Sequence, residues 1–174
     1  MNRRFLLRTL ASAAGMAALT PGLMAQTKPL VEVWKEPNCG CCKDWVRHLE
    51  ANGFQVKTHD GGTIEARVRL GVPNALGSCH TAQVGDYALE GHVPAREIQR
   101  LLKERPTAVG LSVPGMPIGS PGMNGPEYGG KKDPYDVLLI QANGSSKVYQ
   151  SYRSEAPPQD KRGTGAKSDK GAKA

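Results

Sequence analysis

The chain has 174 residues, with 23 Lys and Arg against 16 Asp and Glu, a formal net charge of +7 at pH 7. That length suits one domain with its own core. The charge gathers at the two ends and leaves the middle near +1, so a basic face for nucleic acid is excluded.

Residues 1–25 read as a secretory signal. Arg3 and Arg4 open a charged start, Leu6 to Leu23 is an Ala/Leu/Met run broken by Pro21-Gly22, and Ala25 suits the last residue before cleavage. The run is too short and too interrupted to span a membrane. Arg3-Arg4-Phe5-Leu6-Leu7-Arg8 resembles the twin-arginine export signal. That route and general secretion are both open. The exported chain is expected to be free of the membrane once the signal is removed.

Leu30 to Trp34 alternates as a strand. Pro37 and Asn38 then mark a turn. Trp45, Val46 and Leu49 follow Cys42 at helical spacing, and Gly53 stops that helix. Phe54 to Thr58 is a second strand. Thr63 to Leu70 is a short helix with Ile64 and Val68 on one face. Thr81 to Val84 and Tyr87 to Glu90 flank Gly85-Asp86, a hairpin signal. Pro94 suits the first turn of a helix reaching Arg105, with Ile98, Leu101 and Leu102 inward.

Residues 28–106 thus have the order β-α-β-α-β-β-α, that of an α/β thioredoxin-like domain. Such domains carry their active site after the first strand, where Cys39 to Cys42 stand. Most of them place a cis-proline before the hairpin. Here Cys79-His80-Thr81 occupies that place, so a thiol and an imidazole are expected to face the cluster. Residues 107–152 form a C-terminal extension. Its stretch Gly110 to Gly130 lacks periodicity and holds Pro114-Gly115-Met116-Pro117 and Pro121-Gly122-Met123-Asn124. Val137 to Ala142 and Lys147 to Tyr152, around Asn143-Gly144, make a closing hairpin that anchors this loop as a lid. Residues 153–174 are a basic tail of Gly, Ala, Ser and Lys with little to bury, and read as disordered.

Three of the four cysteines sit within Cys39-Gly40-Cys41-Cys42. So tight a group is a poor staple and a good site. Cys39 and Cys42 form a C-x-x-C pair at a helix start, where free N–H groups favour thiolate, so they are the candidate redox-catalytic residues. Cys41 would reshuffle a simple redox disulfide but serves well as a third soft ligand. Cys39, Cys41, Cys42, Cys79, His80, Met116 and Met123 together make a softer donor set than zinc sites use, and copper suits it best. Pure dithiol redox chemistry, zinc and two plain disulfides remain open alternatives. His92 reads as structural, His48 and His59 as solvated, and Trp34 and Trp45 as core.

Several stretches carry a likeness to a known group: Val33-Trp34-Lys35-Glu36-Pro37-Asn38-Cys39-Gly40-Cys41-Cys42-Lys43-Asp44-Trp45, Leu70-Gly71-Val72-Pro73, Gly77-Ser78-Cys79-His80-Thr81, Glu90-Gly91-His92-Val93-Pro94, Val113-Pro114-Gly115-Met116-Pro117 and Gly119-Ser120-Pro121-Gly122-Met123. In these the chain resembles the CopG-type family, exported proteins found with bacterial copper-resistance functions and marked by a C-x-C-C signature. The resemblance implies a thioredoxin-like domain whose extension contributes to metal binding. It implies copper held at Cys39, Cys41, Cys42 and Cys79, with His80, Met116 and Met123 following, and interconversion of Cu(I) and Cu(II) in the periplasm. The expectation is a monomeric copper oxidoreductase, with copper ions and a periplasmic copper exporter or chaperone as partners. The rivals are a metal-free exported thiol–disulfide oxidoreductase and a passive copper chaperone or store.

Overall fold

The computed structural model describes residues 27–153. The signal expected over 1–25 and the tail expected over 153–174, apart from Arg153, lie outside the described residues. The elements are β1 (Leu30–Lys35), α1 (Gly40–Ala51), β2 (Gln55–Asp60), α2 (Thr63–Arg69), β3 (His80–Val84), β4 (Tyr87–Glu90), α3 (Ala95–Glu104), β5 (Gly110–Ser112), β6 (Tyr135–Ile140) and β7 (Ser146–Tyr152). The first seven follow the β-α-β-α-β-β-α order and make a mixed α/β architecture compatible with a thioredoxin-like half.

All strands join one seven-stranded sheet in the order β2-β1-β3-β4-β5-β6-β7. β1 and β2 are parallel because α1 carries the chain back between them, whereas β1 and β3 are antiparallel. β3 and β4 pair through the tight turn at Gly85-Asp86. β5 runs parallel to β4 after the α3 crossover. The closing hairpin β6–β7 then adds to β5, with a bulge between Val137 and Leu138. The extension therefore continues the sheet instead of forming a layer of its own.

Alternation along the strands divides the core between the two sheet faces. On one face Val31, Val33, Leu89, Leu111 and Leu139 pack with Trp45 and Leu49 of α1 and Ile98 and Leu101 of α3. The neighbours Ala88 and Ile140 point the other way, to a smaller cluster with Val72. β5 is only three residues long, which is why the sequence pattern shows an aperiodic stretch there.

Ile64 and Val68 do share a face of α2, but it is the solvent face, where they are exposed; Thr63 and Ala66 are the buried positions. Trp45 is fully buried as expected. Trp34 is instead a half-buried platform, stacked on His59 and covered by the Arg69 guanidinium. Among the described residues no helix is long and apolar enough to cross a membrane.

Candidate metal centre

Cys39 is the N-cap of α1. Its Sγ accepts the Cys42 N–H at 3.2 Å, which satisfies one of the free amides of the first turn. Gly40 opens the helix, so Cys41 and Cys42 lie in that first turn and point to different sides. Cys41 is half-buried and Cys42 fully buried. Cys79 comes from the segment just before β3. β3 pairs antiparallel with β1, and that pairing brings its start beside the end of β1, from which the cysteine loop departs.

In this structure Cys39 and Cys42 are joined as a disulfide, and Cys41 and Cys79 are free. Cys41 Sγ lies 3.5 Å from Cys39 Sγ, and Cys79 Sγ lies 3.6 Å from Cys42 Sγ. All four sulfurs stand within 4.8 Å of one another, close enough to share one ion. The joined pair must be reduced before its sulfurs can act as thiolate ligands.

A second group shares Cys79. Its Sγ is 3.3 Å from His80 Nδ1 and 3.1 Å from His92 Nε2. His80 is fully buried between Trp45 and His92, with ring centroids at 4.4 and 5.0 Å. Its Nε2 has no hydrogen-bond partner among the described residues. His92 Nδ1 donates to the Pro121 carbonyl at 2.8 Å, which leaves Nε2 as the bare nitrogen facing Cys79. Burial, and then for His80 the nearby His92, holds both imidazoles below their ordinary pKa, so both are neutral at pH 7. Burial and the charge of Cys41 push the Cys79 thiol up to about 12. Cys79 is therefore held mainly as the thiol at pH 7, and a bound cation would displace its proton. The donor chemistry fits a soft or borderline ion: thiols with two neutral imidazoles, one holding an unpaired nitrogen.

Two devices fix this geometry. The Glu90 carboxylate, fully buried, accepts Ser78 N–H at 2.6 Å, Thr81 Oγ1–H at 2.6 Å, and Arg67 at 3.1 Å (Nε) and 2.7 Å (a terminal nitrogen). Arg67 also donates to Ser78 O at 2.7 Å, so the residue before Cys79 is held at both its amide and its carbonyl. The second device is the loop 119–123. Gly122 has φ +86, and a Cβ there would stand 2.6 Å from Cys41 O, 2.8 Å from Trp45 N and 3.2 Å from His92 Nδ1. Only glycine lets the loop lie this close to the first turns of α1.

Cys39, Cys41, Cys42, Cys79 and His80 are brought together. Met123 is nearly buried, next to Gly122, and its sulfur accepts the Tyr128 hydroxyl at 3.3 Å. Met116 is 52% exposed; its neighbour Gly115 is tied to Ser78 through the Ser78 hydroxyl. His92 is the residue that sequence reasoning set aside, and its position after the hairpin facing Cys79 was the available signal. His48 is half-buried and accepts the Ala95 N–H at 3.1 Å at the start of α3, and His59 pairs with Glu32 at 2.9 Å; neither is simply solvated.

A family model described as "Protein of unknown function, DUF411" matches residues 76–123, which contain Cys79, His80, His92 and both Pro-Gly-Met turns. No curated protein matches the chain. Two solved structures do, described as "Copper resistance protein copG- Form 2" and "Copper resistance protein copG- Form 1". Each is 45% identical with a TM-score of 0.67; the alignments cover 72% and 73% of this chain and 98% and 100% of theirs.

Proposed function

The chain belongs to the family of the copper resistance protein CopG, and from that premise we propose that it is an exported copper-binding protein that interconverts Cu(I) and Cu(II) in the periplasm. Copper is its cargo and substrate. The observation that carries the reading is the four-sulfur cluster within 4.8 Å, continued through Cys79 to two neutral imidazoles.

The thiolates of Cys39, Cys41, Cys42 and Cys79 favour Cu(I), and the imidazoles of His80 and His92 supply the nitrogen donors that Cu(II) prefers. Cys39 and Cys42 are the electron source. Their two thiolates give one electron each to two Cu(II) ions, yielding two Cu(I) and the Cys39–Cys42 disulfide. The reverse direction regenerates the dithiol. Binding displaces the Cys79 proton, so Cu(I) affinity rises with pH. Met123 and Met116, on the loop after β5, would add thioether donors, Met123 on giving up the Tyr128 hydroxyl. The protein acts as a monomer that exchanges copper with a periplasmic exporter or chaperone.

An anaerobic Cu(I) titration against a competing chelator tests the reading. Sub-micromolar binding that disappears when the thiols are alkylated is expected; no binding at that level overturns it. A second reading, metal-free thiol–disulfide exchange, is favoured by the disulfide at the N-terminus of α1. Cys41→Ser separates the two, because it removes a copper ligand and leaves the C-x-x-C pair. Insulin reduction that survives the change while copper binding is lost would show both activities.

A further inference from the structure

The four sulfurs form a compact cluster, all within 4.8 Å of one another, with Cys41 against Cys39 and Cys79 against Cys42. The disulfide joins Cys39 to Cys42, and the two flanking gaps are 3.5 and 3.6 Å, van der Waals contact on both sides. Each disulfide sulfur therefore has a free thiol against it. Exchange proceeds by attack of a thiolate on a disulfide sulfur, roughly in line with the S–S bond. Cys79 touches Cys42 but stays within 4.8 Å of Cys39 as well, so its side chain must rotate into line, and because its thiol is held protonated the step is slow.

The two contacts are not equivalent. Attack by Cys41 on Cys39 would join residues two apart at the helix cap, a ring too tight for ordinary disulfide geometry. Attack by Cys79 on Cys42 would join the first turn of α1 to the start of β3, 37 residues away. It would release Cys39, which already accepts an amide N–H at the N-cap, where developing negative charge is stabilised. The Cys42–Cys79 pair is also the more buried one.

We propose that the oxidised protein interconverts two disulfides, Cys39–Cys42 and Cys42–Cys79, with no outside oxidant or reductant. In the forward direction the Cys42–Cys79 bond forms and the Cys39–Cys42 bond breaks. The electron pair of the broken bond goes to the Cys39 sulfur, which takes up the proton that Cys79 gave up. The oxidation level of the protein is unchanged. The exchange moves the disulfide from the helix cap to the junction of α1 with β3 and leaves Cys39 and Cys41, 3.5 Å apart, as a free dithiol. If the copper reading above holds, the oxidised protein then still offers a soft ion two thiolates.

Tryptic cleavage makes the two forms distinguishable. Cys39, Cys41 and Cys42 share the peptide Glu36 to Lys43, and Cys79 lies alone in Leu70 to Arg96. Metal-free, oxidised full-length protein is held at pH 8 for hours, the timescale of uncatalysed disulfide rearrangement. Samples are quenched in acid, alkylated with N-ethylmaleimide under denaturing conditions and digested. The expected result is a disulfide-linked pair of these peptides that grows to a constant share. Cys79 alkylated at every time point overturns the proposal. Cys39→Ser is the second arm: on oxidation it should link Cys42 to Cys79 and leave Cys41 as the one alkylated thiol. A Cys39→Ser protein whose Cys79 stays free also overturns it. The peptide map contains no copper, so it stands or falls separately from the copper reading. Cu(I) titration of the oxidised protein then tests the dithiol, with binding expected for wild type and lost in Cys39→Ser.

Discussion

The two sides of Cys79 differ in every property that matters to a metal. On one side stand three cysteines at a helix N-terminus, two of them half-exposed and all reachable by redox chemistry. On the other stand His80 and His92, fully buried, neutral, and held by an aromatic wall and a backbone carbonyl. One side is chemically labile and the other is mechanically rigid. A single sulfur belonging to both lets a change of oxidation state on the labile side be felt by the rigid one.

The comparison can be broken most severely at its hinge. Glu90→Ala would leave the Arg67 guanidinium without its carboxylate and the Ser78 N–H and Thr81 hydroxyl without their acceptor. It should lower folding stability by about 3–5 kcal/mol, read by urea denaturation, and release Cys79 to fast alkylation. Cys79→Ser removes the shared sulfur and should weaken Cu(I) binding by about 100-fold, about 2.8 kcal/mol, in a competition titration, with little loss of secondary structure. Gly122→Ala pushes a methyl against Cys41 O and strains a positive φ; it should cost about 1–3 kcal/mol of stability and loosen His92. His92→Ala should lower Cu(II) affinity by about tenfold and Cu(I) affinity by less, since nitrogen matters more to the oxidised ion.

The smallest effect is that of pH. Folding holds His48, His80 and His92 below the ordinary 6.5, so the unfolded chain binds protons that the fold refuses. Their contribution is fully present above about 6.5 and is lost as pH falls through the folded values. Denaturation midpoints should therefore drop between pH 7.5 and 5.5. Glu90, which burial raises above the ordinary 4.5, acts with the opposite sign: its contribution is present below about 4.5 and is lost as pH rises through the folded value.

The labile side was legible in the sequence because it is local. Three cysteines within four residues, after an apolar strand and before a helical repeat, announce themselves. Cys79 and His80 were reachable through element order alone. The rigid side was not, because its signals are long-range. His92 acquires meaning only from Cys79, thirteen residues back, and from Pro121, twenty-nine ahead. The Arg67–Glu90 pair spans twenty-three residues and leaves no local pattern. The continuous sheet was hidden for a related reason: β5 is too short to show a period, so the closing hairpin read as an appendage. Ile64 and Val68 share a face of α2 as their spacing implies, but an apolar pair at helical spacing does not say whether that face is covered.

Exposure is uneven across the cluster: Cys39, Cys41 and Cys79 are half-exposed, whereas Cys42 and the two imidazoles are sealed. This imposes an order of traffic. An arriving ion meets the outer thiols first and exchanges its water for sulfur there, while a departing ion leaves by the same door. Rates of loading and unloading are thus governed by Cys39, Cys41 and Cys79, and residence by what lies behind them. A competing thiol from solution can reach the outer thiols and pull a bound ion away stepwise, without the buried histidines ever meeting water.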